Sequence, residues 1–338
     1  MNDLVDWDLA TAIGAKLAPR GPQLPRDDVY GAVADLARFA EQAVPAVAEA
    51  THLYVPSDGQ IRVVDRQGWI AANVRSMGRA LGPLLSRLDE TEPPALVRGI
   101  GERATAVELG AVLAWLSGKV LGQYDVFGDP AQLLLVAPTI VQVERSLGVP
   151  ADDFRLWVCL HEETHRAQFG AVPWLRDHLL GLVASFAEVS DLSAGELLRA
   201  LVRAVNALRQ PDGSVVEAIQ TPEQRVVFGR ITAFMSLLEG HADVIMDAVG
   251  PEVVPSVDLI RQRFTKRREE PSPADALARR ALGLDAKLRQ YSDGAKFVRM
   301  IVDVRGIDGF NAVWSSPEAL PTMTEIGQPR LWLERVIT

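Results

Sequence analysis

The sequence of 338 residues contains one cysteine and five histidines, so it has few of the side chains that bind transition metals. A single cysteine cannot form an internal disulfide, and it excludes four-cysteine zinc sites and cysteine-bound iron–sulfur clusters. Positive charge is also scarce, because 35 lysines and arginines stand against 44 acidic residues and the formal net charge is −9. An acidic protein lacks the cationic surface that attracts nucleic acid or an anionic membrane. We therefore expect neither as a partner.

Long apolar runs and targeting signals are also missing from the sequence. The purely apolar stretches are short, as in Leu133–Ala137, and none approaches the roughly 18 residues of a membrane-spanning helix. Residues 1–8 include three acids and lack the basic and apolar regions of a secretory signal. These absences predict a cytoplasmic protein. Hydrophobic residues make up 48% of the chain, which is enough for a large buried core.

Most of the sequence has the hydrophobic period of amphipathic helices, interrupted by glycine and proline. The predicted helices cover residues 7–18, 27–50, 67–90, 96–120, 138–147, 152–169, 173–188, 192–208, 222–248, 253–268, 273–292 and 294–305. Strand signals are few: residues 52–55 and 61–64 flank Pro56–Gly59 as a small hairpin, and residues 132–136 are β-like.

These patterns predict an α+β fold that is predominantly helical and contains a small sheet. We expect an N-terminal helical region with the small hairpin at residues 1–130, followed by a second region at residues 131–338. One continuous domain over residues 1–338 is the alternative.

One segment has the residue pattern of a metal site. His161 and His165 lie one helical turn apart in His161-Glu-Glu-Thr-His165, on the otherwise apolar face of a predicted helix. This spacing lets both imidazoles reach one tetrahedral Zn²⁺ ion. Glu162 lies beside the pair, where it can take a proton from water on the metal, and Glu163 is turned further away. A chance match is the alternative, and the position of the pair on a buried face disfavours it.

A catalytic zinc site needs a third protein ligand, and the preferred candidate is Glu239. Glu239 shares a helical face with Asp243 among apolar residues, where a buried carboxylate needs a partner such as a cation. Asp243 is placed to accept the free N–H of a ligating histidine. His241 is the alternative third ligand, about 200° away around the helix, and Asp243 is another. Gly240 lowers helix stability, which predicts close approach of a second element there.

The two motifs together, His161-Glu-Glu-Thr-His165 and the later Glu239-x-x-x-Asp243, resemble those of the glutamate-zincins, a class of metallopeptidases. Longer strings are similar to one family, the actinobacterial and chloroflexal zinc-dependent metallohydrolases that carry a label of association with deazaflavin-coenzyme biosynthesis. These strings are residues 154–169, 171–174, 238–250 and 284–291. The resemblance covers roughly Trp7 to Val336 and implies a zincin-like metalloprotease catalytic core with extra helices. It implies no substrate, and no sequence feature indicates a deazaflavin site.

We therefore expect a zinc-dependent hydrolase, and within that class a metallopeptidase with Glu162 as general base. Its substrate is expected to be a peptide or a small amide, and its oligomeric state is open. Leu133–Val136 is expected to supply the edge strand along which a peptide aligns. The alternative is a non-catalytic helical binding or assembly protein with a structural or vestigial zinc site.

Two parts of the expected enzyme are less defined by the sequence. Spacing does not single out a stabiliser of the developing oxyanion, and Tyr291 is preferred because it lies in one of the resembling strings. The alternatives are His178, Arg289 and His241. Residues 173–222 separate the two motifs and are predicted to form a helical hairpin plus a loop. We favour a scaffold role for this segment over a cover for the active site.

Overall fold

A computed structural model describes residues 5–55, 60–88, 95–190, 221–269 and 288–337. The helices of the first half are α1 (Trp7–Leu17), α2 (Arg26–Thr51), α3 (Arg66–Leu88), α4 (Ala95–Ser117) and α5 (Ala137–Leu147). Those of the second half are α6 (Ala151–Ala171), α7 (Leu175–Ser190), α8 (Pro222–Val253), α9 (Val257–Glu269), α10 (Leu288–Phe310), α11 (Met323–Gly327) and α12 (Pro329–Val336). None of the helices in these ranges is both long enough and apolar enough to cross a membrane.

The predicted helix bounds agree with α1 to α7 to within three residues. The predicted helix at 192–208, and most of the one at 273–292, lie outside the described residues. A predicted break before residue 294 is wrong, because α10 runs through this position and is interrupted only at Gly306, which has a φ of +69°. The described residues are thus predominantly helical and contain one small sheet, which confirms the predicted fold class.

The sheet has three strands: β1 (Gln60–Val64), β2 (Gly122–Asp125) and β3 (Gln132–Val136). Their order is β1-β3-β2, with β1 parallel and β2 antiparallel to β3. The predicted hairpin is wrong, since residues 52–55 form no strand and β1 pairs with β3 instead. The predicted division after residue 130 falls between two strands that pair with each other, and it stays a prediction.

The expectation that Leu133–Val136 supplies an edge strand is also wrong, because β3 is the central strand. Leu133 and Leu135 pack into one hydrophobic cluster with α2 and α6, whereas Leu134 and Val136 pack into another with α1, α3 and α4. A strand that is covered on both faces has a continuous apolar sequence rather than an alternating one. The run of apolar residues therefore marks a central position, and the two edge strands are β1 and β2.

Helix α6 occupies the middle of the fold, where it contacts α2, α8 and β2. It begins after Pro150. Two acids in its first turn interact favourably with the positive N-terminal end of the helix dipole. Helix α8 begins with a capping box, in which the Thr221 hydroxyl accepts the N–H of Gln224 at 3.2 Å and the Gln224 side chain accepts the N–H of Thr221 at 3.3 Å. These two helices carry the two motifs from which the sequence predicts a metal site.

Candidate metal centre

The three predicted ligands come together between α6 and α8. One atom of each of His161, His165 and Glu239 lies within 4.8 Å of the other two. The two histidine Nε2 atoms are 3.2 Å apart. Glu239 places Oε2 3.7 Å from His161 Nε2 and Oε1 3.8 Å from His165 Nε2. Among the described residues, no other group of three or more potential ligands converges in this way.

The donor set fits zinc in chemistry and in spacing. A tetrahedral ion with bonds of about 2.0–2.1 Å holds its ligand atoms about 3.3 Å apart, close to the separations in this cluster. The Nδ1 atom of His161 lies 3.3 Å from Met246 Sδ, and that of His165 lies 3.0 Å from Gln168 Oε1. Both neighbours are hydrogen-bond acceptors, so each ring suits a proton on Nδ1 and a lone pair on Nε2. Two histidines and one glutamate are also the ligand set of open catalytic zinc sites.

Glu239 is held in position by a close contact between α8 and α10. A Cβ atom on Gly240 would collide with the main chain of Gly294, and one on Gly294 would collide with the Ser236 carbonyl group. The two helices can approach this closely only because both residues lack a side chain. The prediction that a second element approaches Gly240 is confirmed.

Glu162 is buried beside the ligand cluster, with 7% of its surface exposed. It packs against Gly122 of β2, where a Cβ atom would lie 2.6 Å from Glu162 Cγ and 2.9 Å from its Oε1. Real Cβ atoms do not approach other atoms so closely. The glycine therefore lets the main chain of β2 lie directly against this carboxylate.

The free edge of β2 lies next to Glu162. The Val136 N–H donates to the Leu121 carbonyl at 2.8 Å, and Gly122 lies opposite Leu135. In an antiparallel pair this register turns the main-chain N–H and C=O of Gly122 and Tyr124 away from β3. The Tyr124 carbonyl accepts the Val126 N–H at 3.1 Å. The N–H and C=O of Gly122 and the N–H of Tyr124 are therefore the main-chain groups that this edge presents near the predicted general base.

Helix α3 anchors β2 on its other face. The Trp69 indole N–H donates to Gln123 Oε1 at 2.8 Å, and Gln123 Nε2 donates to Asn73 Oδ1 at 3.0 Å. Ser76 donates to the buried Asp125 carboxylate at 2.7 Å. These hydrogen bonds hold the strand against the core and restrict movement of its free edge relative to α6.

His241, the alternative third ligand, lies outside the ligand cluster. It is fully buried and its Nδ1 is 3.0 Å from Gln168 Nε2. Burial lowers the pKa of His241 to about 3, and the nearby His165 acts in the same direction. A neutral, buried imidazole at this position binds other protein groups rather than the metal, so the structure groups Glu239 with the two histidines.

The remaining predicted residues have varied positions. Asp243 is half-buried on α8, and its carbonyl oxygen accepts a hydrogen bond from Arg261 at 3.0 Å. Its role beside a ligating histidine stays a prediction. The side chains of Tyr291 and Arg289 lie outside the described part of the chain, so their roles also stay predictions. His178 packs against Phe234 with ring centroids 5.5 Å apart, and burial lowers its pKa.

Sequence reasoning missed three features of this region. The first is the contact of Gln168 with His165, and the second is the pair of 2.7 Å hydrogen bonds that Arg166 forms with Glu163. In both cases the partners are three residues apart on α6. Helical spacing alone could have indicated these two contacts. The contact of Gly122 with Glu162 depends on the tertiary fold, and nothing in the local sequence marks it.

A small sheet packed on a helix with two histidines, next to a second helix with a glutamate, defines a zincin-type metal site. A family model for zincin-like metallopeptidases matches residues 5–333, so the chain belongs to this family. A crystal structure from Chloroflexus aurantiacus, described as a “putative hydrolase with a novel fold”, is similar to the chain with 31% sequence identity and a TM-score of 0.71. The match covers 98% of each chain. No functionally curated protein matches the sequence.

Proposed function

We propose that the protein is a zinc-dependent metallopeptidase that hydrolyses an amide bond in an extended peptide segment. The observation that carries this proposal is the convergence of His161, His165 and Glu239 within 4.8 Å. A second carboxylate, Glu162, lies beside them against the free edge of β2. Membership of the zincin-like metallopeptidase family supports hydrolysis at the level of the class.

His161, His165 and Glu239 would hold the metal. A zinc ion there supplies Lewis-acid chemistry, because it polarises a carbonyl group and lowers the pKa of a water to about 7. Glu162 accepts a proton from the attacking water and then donates it to the leaving amine. The contact with Gly122 restricts the carboxylate to one place, which favours proton transfer at a defined atom.

The edge of β2 provides a binding surface for an extended peptide. The N–H and C=O of Gly122 and the N–H of Tyr124 point outwards, and a peptide that pairs with them becomes an added strand. Main-chain pairing depends little on substrate sequence. This arrangement favours a peptide over a small amide and assigns to β2 the role that the sequence predicted for Leu133–Val136.

The test compares Glu162→Gln with wild-type protein, both loaded with zinc. The variant should retain about one zinc per chain, while cleavage of a mixed peptide library falls by roughly 10²–10⁴-fold, the usual contribution of a general base. Asp152→Asn makes the corresponding change from carboxylate to amide at an exposed position in the first turn of α6, and it should retain activity. Cleavage by Glu162→Gln at the wild-type rate would contradict the proposed base. If zinc-loaded wild type cleaves no peptide, the non-catalytic binding protein is the better interpretation.

A further inference from the structure

Gln168 occupies the junction of the two helices that carry the ligands. It lies on α6 three residues after His165 and is fully buried. Its Oε1 is 3.0 Å from His165 Nδ1. Its Nε2 is 2.9 Å from the Leu238 carbonyl oxygen and 3.0 Å from His241 Nδ1, both on α8. One amide thus contacts a metal ligand on α6 and the main chain immediately before Glu239 on α8.

The orientation of this amide follows from its partners. A carbonyl oxygen only accepts hydrogen bonds, so the nitrogen of Gln168 must face Leu238 and the oxygen must face His165. Because that oxygen can only accept, His165 must carry its proton on Nδ1. A neutral imidazole has one such proton, which leaves a lone pair on Nε2. That lone pair points towards His161 Nε2, 3.2 Å away.

His241 accepts the second amide hydrogen of Gln168. Its ring is fully buried and stacks on Phe310, with centroids 5.0 Å apart and planes at 24°. Trp314 contacts it edge-on at 5.6 Å. Because the Gln168 nitrogen donates, Nδ1 of this ring is the acceptor. The Leu238 carbonyl excludes the reverse orientation of the Gln168 amide, and His241 accepts the remaining amide hydrogen.

We propose that Gln168 and His241 form a positioning pair that fixes the tautomer of His165 and joins α6 to α8 at the metal site. The inference rests on the proposed function in one respect, since it takes His165 as a ligand. Neither residue touches the metal or the substrate in this proposal. Their role is to present the His165 lone pair before the metal binds, as hydrogen-bond partners of ligating histidines do in other sites.

The first test uses metal-free, full-length wild-type protein. Nitrogen-15 NMR of the imidazole groups distinguishes a proton on Nδ1 from one on Nε2. We expect His165 in the Nδ1–H form, and a mixture of both forms in Gln168→Met, which keeps side-chain length but lacks the amide. An Nε2–H form of His165 in the wild type would overturn the proposal, and this result needs no variant to fold.

The second test measures zinc affinity by competition with a chelator. Loss of a partner of a ligating histidine typically weakens metal binding by about 10–100-fold, and we expect this for Gln168→Met. His241→Phe keeps the aromatic stack and should weaken binding less. Thr164→Val is the matched control, because it removes a buried hydrogen bond to Leu160 on the same helix without touching a ligand. Wild-type affinity in Gln168→Met would contradict the proposal.

Gln168→Glu provides a second variant if Gln168→Met does not fold. A carboxylate accepts from His165 but cannot donate to Leu238 or His241, so we expect an Nδ1–H tautomer together with a lower free energy of unfolding. Loss of that tautomer in this variant would contradict the proposal. Neither readout involves hydrolysis. Absence of peptidase activity would therefore refute the proposed function while the tautomer result remained valid.

Discussion

Helix α6 carries two polar clusters whose charges are balanced in different ways. On one face, His161 and His165 direct acceptor atoms towards a carboxylate of α8, with all three ligand atoms within 4.8 Å. On another face, Glu163 and Arg166 form an ion pair with two hydrogen bonds of 2.7 Å, and both residues are buried. The second cluster matches donors to acceptors. The first brings three acceptors together, an arrangement that a cation completes.

The comparison shows why burial of polar groups alone does not identify a functional site. Burial raises the pKa of Glu163, the hydrogen bonds from Arg166 oppose this shift, and the pair is self-contained. A self-contained pair contributes to folding and needs no ligand. Three metal-ligand atoms within 4.8 Å of one another are instead suited to a cation, which marks a candidate binding site. Substitutions in the two clusters should therefore affect different properties of the same helix.

The largest effect is expected for His161→Ala. This change removes one of the three proposed ligands, and zinc content should fall from about one ion per chain to nearly none. Elemental analysis of purified protein measures it directly. His52→Ala removes an exposed histidine far along the chain and should leave zinc content unchanged.

Glu239→Ala and His241→Ala then compare the two candidates for the third ligand, and zinc loss in His241→Ala alone would reverse our assignment.

The second-largest effect is expected on the free energy of unfolding, when the Glu163–Arg166 ion pair is broken. Arg166→Met leaves the Glu163 carboxylate buried without its cation, and removal of one partner of a buried pair typically costs about 3–5 kcal/mol of unfolding free energy. Urea denaturation of the metal-free protein measures this loss without a contribution from bound zinc. The double variant Glu163→Gln with Arg166→Met should recover part of the stability. Zinc content should stay near one ion per chain, and its loss would show that the two clusters are coupled.

Gly122→Ala should have an intermediate effect that is confined to catalysis. The added methyl group would overlap the Glu162 side chain and displace its carboxylate. A displacement of about 1 Å at a reacting group can lower the rate by roughly 100-fold, and we expect a fall in kcat of about 10–100-fold. Zinc content should not change. Gly229→Ala adds the same group where no atom lies within 4 Å, so it is the matched control. Equal kcat in both variants would contradict the role of Gly122.

The contrast between the clusters also explains how much the sequence could predict. His161 and His165 lie on one helix, so local spacing was enough to place them together. Glu239 required a second motif, which its shared helical face with Asp243 and the glutamate-zincin pattern together indicated. The short strand β2 contains glycine and aspartate, which are rare in strands, and its position against Glu162 arises only from tertiary packing. The buried run at β3 was correctly predicted as a strand, but a local pattern does not specify its neighbours in the sheet.

Glu325 and Arg335 form a third charged pair, near the C-terminus, that should give the smallest effect. Arg335 Nε lies 2.6 Å from Glu325 Oε1, and the Thr322 N–H donates to Oε2 at 2.8 Å. Burial raises the pKa of Glu325, but the hydrogen bonds from Arg335 and Thr322 outweigh this and lower it overall. A lowered pKa in the folded state stabilises the protein above the ordinary pKa of glutamate, and this contribution disappears as the pH falls through the lowered value.

Glu325→Gln should therefore lower Tm at pH 7, and this decrease should shrink as the pH falls below the ordinary pKa of glutamate. Because 40% of the Arg335 side chain is exposed, water screens the pair, and such pairs usually contribute about 0–1 kcal/mol. The expected decrease in Tm is accordingly a few degrees at most. Thermal unfolding of both proteins across this pH range measures the difference. A difference in Tm that does not change with pH would show that hydrogen-bond geometry, rather than charge, stabilises this pair. The charge of Glu325 would then matter less to stability than the charges of Glu163 and Arg166.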